Sequence, residues 1–329
     1  KKKKILRTQA DLLWFGGIGT YVKGSQESHG DVGDKANDGL RVNGKELQCK
    51  VIGEGGNLGM TQLGRIEFGL IGGRLNTDFI DNAGGVDCSD HEVNMKILLN
   101  RVVAAGDLTE KQRNTMLEKM TDDVSELVLL NNYRQTQALS IANTEAITRL
   151  EEYRRLIINM ESAGKLNREL EFLPDEETLA ERKVKKQGLT RPELSVLISY
   201  VKGDLKQELI ESDLPDEPSL ASEMNKVFPT ALTKKFGKEL SEHQLRREII
   251  ATQIANDMVN HMGITFVDRL EQSTGASPSA IAQAWIIARD IYRVDEWWNK
   301  IEALDYKVPA SLQLELMNDL IRLVRRGVR

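Results

Sequence analysis

The sequence is poor in cysteine, proline and aromatic residues, and it holds no long apolar run. Two cysteines in 329 residues, Cys49 and Cys88, cannot frame a disulfide-stapled fold and point to a reducing compartment. No apolar stretch approaches the roughly 18 residues of a membrane span. No signal peptide follows the opening KKKKIL. A cytoplasmic protein without a membrane partner is therefore expected. Positive charge is not in excess either. The net charge of −5 argues against nucleic acid as a partner, since a reader of phosphates shows a basic face. The chain does not open on Met, and we expect it to be a piece of something longer. What is present is ordinary globular material: 40% hydrophobic and 29% charged residues, enough for two cores.

Glycine is unevenly spread, dense before Gly106 and sparse beyond it. The first part alternates strand and helix signals. Asp11–Phe15 and Gln48–Gly53 are short apolar runs closed by glycines, so both read as buried strands. Asp31–Val42 has helical spacing through Val32, Ala36 and Leu40. Thr61–Leu70 has it through Ile66 and Leu70. That alternation predicts a parallel α/β sheet. From Thr109 to about Gly164 few breakers occur, so one long helix or two is expected. Leu117, Met120, Val124, Leu127 and Val128 form its apolar stripe. Thr190–Glu193 is a capping box, and Ser277-Pro278 starts another helix. No strand signal follows Val103. The expected fold class is α/β plus all-α, a partial Rossmann-like parallel sheet followed by a larger helical region. Its parts are residues 1–95, connecting helices over 96–164, and a helical domain over 165–329.

Three glycine-rich loops carry the functional signal: Gly16–Thr20, Gly53–Gly59 and Asn82–Val86. In open parallel sheets ligands bind beyond the carboxyl ends of the strands. Glycine lets backbone approach them, and helix N-termini attract anions. Gly53, Gly55 and Gly59 narrowly miss the dinucleotide fingerprint, and Asp78 stands slightly late for its ribose acid. Beyond the third loop, Asp87 or Ser89 is placed to cap a helix, with Asp90 and Glu92 complementing its dipole. Asp87/His91 and Cys88/Glu92 are i, i+4 pairs, too few ligands for zinc, so no metal is expected. An amide such as that of Asn82 presents both a donor and an acceptor, which suits a carboxamide. The serine hydroxyl of Ser89 beside free helix N–H groups suits a carboxylate.

In this order the motifs resemble the large bacterial NAD-specific glutamate dehydrogenases. The matching text is DLLWFGGIGTYVK from Asp11, DVGDKAND from Asp31, KVIGEGGNLGMTQLGRIEF from Lys50 and NTDFIDNAGGVDCSDHEVNMKILL from Asn76. Weaker likeness runs on through QTQALS, EFLP, GLTRPELSVL, LRREIIATQIANDMVN and WWNKIEALD. The resemblance implies oxidative deamination of L-glutamate to 2-oxoglutarate and ammonia, with NAD as cofactor. It implies cofactor-binding roles for Gly16, Gly17, Gly55, Gly56, Asn57 and Asn82, and contact of Ser89 with the substrate carboxylate. The family's catalytic lysine, catalytic aspartate and main dinucleotide fingerprint precede the matching region. Lys23, Lys35, Asp31 and Asp34 belong to other motifs, so no catalytic residue is assigned. The chain then corresponds to a C-terminal part, inactive without the N-terminal remainder of the enzyme. As a full-length protein it is expected to be a homo-oligomer.

Two other readings compete for the helical part. Phe266–Arg289 has the layout of a helix-turn-helix around Gly275. Its second helix is apolar on most sides, where a groove reader needs a polar face. Trp285, Trp297 and Trp298 read as core or interface anchors, and His243 and His261 as surface or satisfied core residues. The alternative function is a non-catalytic helical scaffold or oligomerisation module.

Overall fold

The computed structural model describes residues 2–329. It divides into two compact units, one running to Ala83 and resuming over Gln135–Tyr200, the other formed by Gly84–Arg134 and Val201–Arg329.

The first unit holds every strand among the described residues. β1 (Ala10–Phe15), β2 (Val22–Lys23), β3 (Val42–Asn43) and β4 (Cys49–Glu54) make two parallel pairs, β1 with β4 and β2 with β3. In the longer pair Ala10 faces Cys49 and Phe15 faces Glu54. The apolar runs read from the sequence are thus strands, closed by glycine as expected. Their inner faces pack Phe15, Ile52 and Cys49 against Val22, Val42, Met60 and Phe68. The outer face leaves Leu12 and Trp14 exposed.

The helix expected over Asp31–Val42 does not form. A turn of helix, His29–Val32, is capped by Ser28 and stopped by Gly33 in the left-handed region at φ 74°. A 3-10 turn follows at Lys35–Asn37, and then β3. The reason is Arg41, whose buried guanidinium donates to Thr20 O at 2.9 Å, Asp34 O at 2.6 Å and Asp38 Oδ1 at 2.7 Å. Those bonds fold the segment around a cation, which outweighs a weak apolar spacing. Helix Gln62–Leu70 appears as read, with Thr61 accepting from Gly64 N at 3.0 Å, although Leu70 itself is exposed.

The stretch after Thr109 is three helices rather than one or two: Glu110–Lys119, Thr121–Glu145 and Leu150–Ser162. Neither break carries glycine or proline. The second falls at Ala146, where the backbone of Gly188 lies so close that a Cβ there would stand 2.5 Å from the Ala146 carbonyl carbon. Close backbone contact, invisible to local propensity, accompanies that interruption.

The second unit is helical throughout its described residues. Helix Arg246–Met262 is buried along most of its length by Ile250, Ile254, Met258 and neighbours. Helix Phe266–Thr274 ends at left-handed Gly275, and Ser277 caps helix Pro278–Ile291 through Ala280 N. The helix-turn-helix layout is therefore real. Ile281, Ala282, Trp285 and Ile286 of its second helix are buried in the unit. Trp285 and Trp298 are core residues, whereas Trp297 is 51% exposed with Lys300 over its ring.

His261 is buried between these tryptophans, its ring centroid 4.5 Å from Trp298 and 6.3 Å from Trp285. Burial drives its pKa down from 6.5 to about 4, against the attraction of Asp257 and Asp295. The folded state thus binds this proton more weakly than the unfolded chain. The contribution to stability is complete above pH 6.5 and is lost as pH falls toward 4. Thermal unfolding across that window should show a steeper acid-side fall for the wild type than for His261→Phe. Superimposable profiles would remove His261 as the cause.

Candidate functional site

Parallel pairing puts Phe15 and Glu54 side by side, so the loops after them leave from one end of the sheet. Gly56 N–H donates to Phe15 O at 2.9 Å. A Cβ on Gly56 would stand 2.7 Å from the carbonyl oxygen of Gly17, so the two glycine turns touch backbone to backbone. Gly55 has a different reason. A Cβ there would be 2.4 Å from the Trp14 indole, and Gly16 also borders that ring. Gly17 alone of these four has open space where a side chain would be.

The loop after β4 hangs on a buried charge network. Arg65, on helix Gln62–Leu70, donates to both Glu54 carboxylate oxygens at 2.7 and 3.0 Å and lies 3.2 Å from Asp78 Oδ1. Glu54 also accepts from Met60 N at 3.2 Å, and Asp78 from Leu58 N at 2.8 Å. Asp81 accepts from Glu54 N at 3.0 Å and from Asn76 Nδ2 at 2.8 Å. Burial pushes the carboxyls of Glu54 and Asp81 above their ordinary range; Arg65 works against that shift at Glu54, and the Asn76 hydrogen bond works against it at Asp81. Asp78 is therefore a structural acceptor under the loop rather than the ribose acid its spacing suggested.

The result is a presented loop tip. Leu58 takes φ 59°, uncommon for a bulky residue, and its side chain is 63% exposed. Beside it Asn82 Nδ2 donates to Asn57 Oδ1. Asn82 caps the short helix Asp78–Asp81, its N–H donating to Asp78 O at 2.8 Å. Gly16, Gly17, Gly55, Gly56, Asn57 and Asn82 thus all belong to the first unit. Sequence reasoning missed Glu54, Arg65 and Asp81 beneath them and gave Asp78 a different role. A carboxylate inside a strand, with an arginine eleven residues on, was the available signal.

Ser89 belongs to the second unit, and here an expectation fails. Helix Ala83–Ala104 is already running at Gly84 and Gly85, so neither Asp87 nor Ser89 caps it. Ser89 is exposed within the helix, not beside its free N–H groups. Two adjacent glycines, read as a loop, are helical because Asp78–Asp81 leads straight into them. Asp87 instead accepts from Asn131 Nδ2 at 2.9 Å and lies 3.6 Å from His91 Nε2. Among the described residues no group of three or more His, Cys, Asp and Glu is placed to hold a metal ion. Lys23, the other early cation, is buried and donates to Gly24 O, Glu27 O and Asn43 Oδ1, which is a structural role.

Residues 2–142 match the family model described as bacterial NAD-glutamate dehydrogenase, catalytic domain, and residues 186–329 match glutamate dehydrogenase, C-terminal. The chain belongs to the bacterial NAD-glutamate dehydrogenases. It is 63% identical over 325 residues to an NAD-specific glutamate dehydrogenase of Pseudomonas aeruginosa and 57% identical over 327 residues to one of Halomonas elongata. A Mycobacterium tuberculosis protein of the same name is 44% identical over 327 residues. Each alignment takes in 99% of this chain and 20% of the relative, so the chain spans about a fifth of their length.

If Arg65 neutralises the two carboxylates under the loop, Arg65→Met should lower the unfolding free energy by about 3–5 kcal/mol. Urea denaturation measures this. A loss under about 1 kcal/mol would mean the network behaves like a surface pair.

Proposed function

We propose that the chain is the C-terminal part of an NAD-dependent glutamate dehydrogenase, and that residues 1–95 are the later half of a Rossmann-like cofactor domain. The observation that carries this reading is the Asn57–Asn82 pair at the carboxyl end of parallel strands. One amide hydrogen bond joins the two side chains. Asn57 keeps an NH2 and Asn82 keeps a carbonyl oxygen with no hydrogen bond among the described residues. A donor and an acceptor side by side complement a carboxamide, which has one of each. The nicotinamide of NAD fits that requirement.

In this reading Asn82 fixes the rotation of the nicotinamide, and Asn57 supports it from the ribose side. Gly17 leaves room for the cofactor to approach, while Gly16, Gly55 and Gly56 keep the crevice wall thin. Bound there, NAD supplies the hydride acceptor for oxidation of L-glutamate to 2-oxoglutarate and ammonia. Ser89 offers a hydroxyl to the substrate's side-chain carboxylate. The lysine and aspartate that would activate substrate and move its proton come from the N-terminal remainder of the enzyme, and the chain alone turns over no glutamate. The full enzyme is a cytoplasmic homo-oligomer. A scaffold role for the second unit is compatible with this, since Leu129, Ile291 and Trp297 of that unit are exposed apolar side chains.

In the full-length enzyme Asn57→Ala and Asn82→Ala should each raise the KM for NAD about tenfold, the worth of one or two hydrogen bonds. Ser89→Ala should raise the KM for glutamate and spare that for NAD. Unchanged NAD kinetics in both asparagine variants would overturn the cofactor reading.

A further inference from the structure

The first unit contains a cleft of about 330 Å³ that shares no residue with the glycine loops. Arg74, Lys186 and Arg191 line it, with Asn143 and Thr190, and no acidic side chain does. The three cations come from separate segments. Arg74 follows the turn after helix Gln62–Leu70, Lys186 follows helix Glu176–Val184, and Arg191 begins helix Arg191–Glu211. Gly188, backbone to backbone with Ala146, fixes the loop that carries Lys186 against the opposite wall.

Arg191 is the informative member. It donates to Asn76 Oδ1 at 3.0 and 2.8 Å, to Ser140 Oγ at 3.0 Å and to Thr136 O at 3.4 Å. All of these acceptors are neutral. The carboxylate that acts on it electrostatically, Asp81, stands behind Asn76 and is already bonded to Asn76 and to Glu54 N. Burial holds the Arg191 guanidinium below its ordinary pKa, and the like charge of Arg74 adds to that. Arg74 and Lys186 are exposed at the rim. A mostly buried guanidinium with neutral partners, reinforced by two rim cations, is an arrangement that an anion would stabilise.

We propose that this cleft is a binding site for a small anion bearing a phosphate or carboxylate group, separate from the proposed NAD site. Its volume admits a metabolite of a few carbon atoms rather than a dinucleotide. Arg191 supplies a fixed positive charge at the base, its guanidinium held by Asn76, Ser140 and Thr136, and Arg74 and Lys186 close on the anion from the rim.

The test is isothermal titration of the native full-length protein with inorganic phosphate and, separately, with malonate, at low ionic strength. Saturable binding of at least one anion is expected, and which one binds identifies the preferred group. Arg74→Ala/Lys186→Ala should weaken it at least about tenfold. Lys183→Ala/Lys185→Ala removes two positive charges at the end of the neighbouring helix Glu176–Val184, neither of them lining the cleft, and should leave binding unchanged. Asn57→Ala should also leave it unchanged, which separates this site from the proposed cofactor site. Absence of saturable binding by both anions, equal weakening by the two double variants, or loss in Asn57→Ala would each overturn the proposal.

Discussion

A single guanidinium, Arg65, sits between the carboxylates of Glu54 and Asp78, both largely removed from water. Two acids and one base in a poorly solvated space are stable only if every oxygen finds a donor. The donors that complete the set are backbone N–H groups of the loop itself, Leu58 and Met60. Electrostatics and loop conformation are therefore one constraint. The loop cannot relax without stripping hydrogen bonds from a buried charge, and this holds Leu58 in its left-handed conformation. Asn57 is next in the chain, so its amide inherits the same rigidity.

That coupling explains what could be read from sequence and what could not. Both long strands were legible because an apolar run closed by glycine has one economical solution in a parallel pair. The candidate asparagines were legible through their motif, and the structure brings them to hydrogen-bond distance although 25 positions separate them. The buried acids were not. Glu54 and Asp81 look like surface charges, and Asp78 like a late ribose acid, until helix Gln62–Leu70 delivers Arg65 among them. The helix expected over Asp31–Val42 fails for a related reason, since the buried Arg41 guanidinium gathers Asp34 and Asp38 of its own segment and the more distant Thr20 around itself. The missed start of helix Ala83–Ala104 differs in kind: two glycines there obey the chain leaving Asp78–Asp81 rather than their own weak propensity.

The helical unit shows the complementary case. Its caps at Ser277 and its left-handed stop at Gly275 are local, and local chemistry predicted them. The burial of His261 against Trp285 and Trp298 is not local, because it needs three helices from different parts of the chain. A histidine in a helix pattern carries no mark that says its ring will be dry. Only packing decides whether it is a solvated side chain or one that resists protonation.

The polar chain from Arg191 through Asn76 to Asp81 and the Glu54 backbone has a consequence for how the first unit works as a whole. Asn76 holds Arg191 with its oxygen and Asp81 with its nitrogen. Asp81 in turn holds the N–H of the last residue of β4, where the asparagine-bearing loop departs. An amide can serve both ends only in one orientation, since its donor and acceptor are not interchangeable. The cationic cleft and the end of β4 are thus tied by one chain of hydrogen bonds. Any charge that draws Arg191 toward the cleft must act against Asn76, and Asn76 cannot yield without loosening the carboxylate that anchors the end of β4.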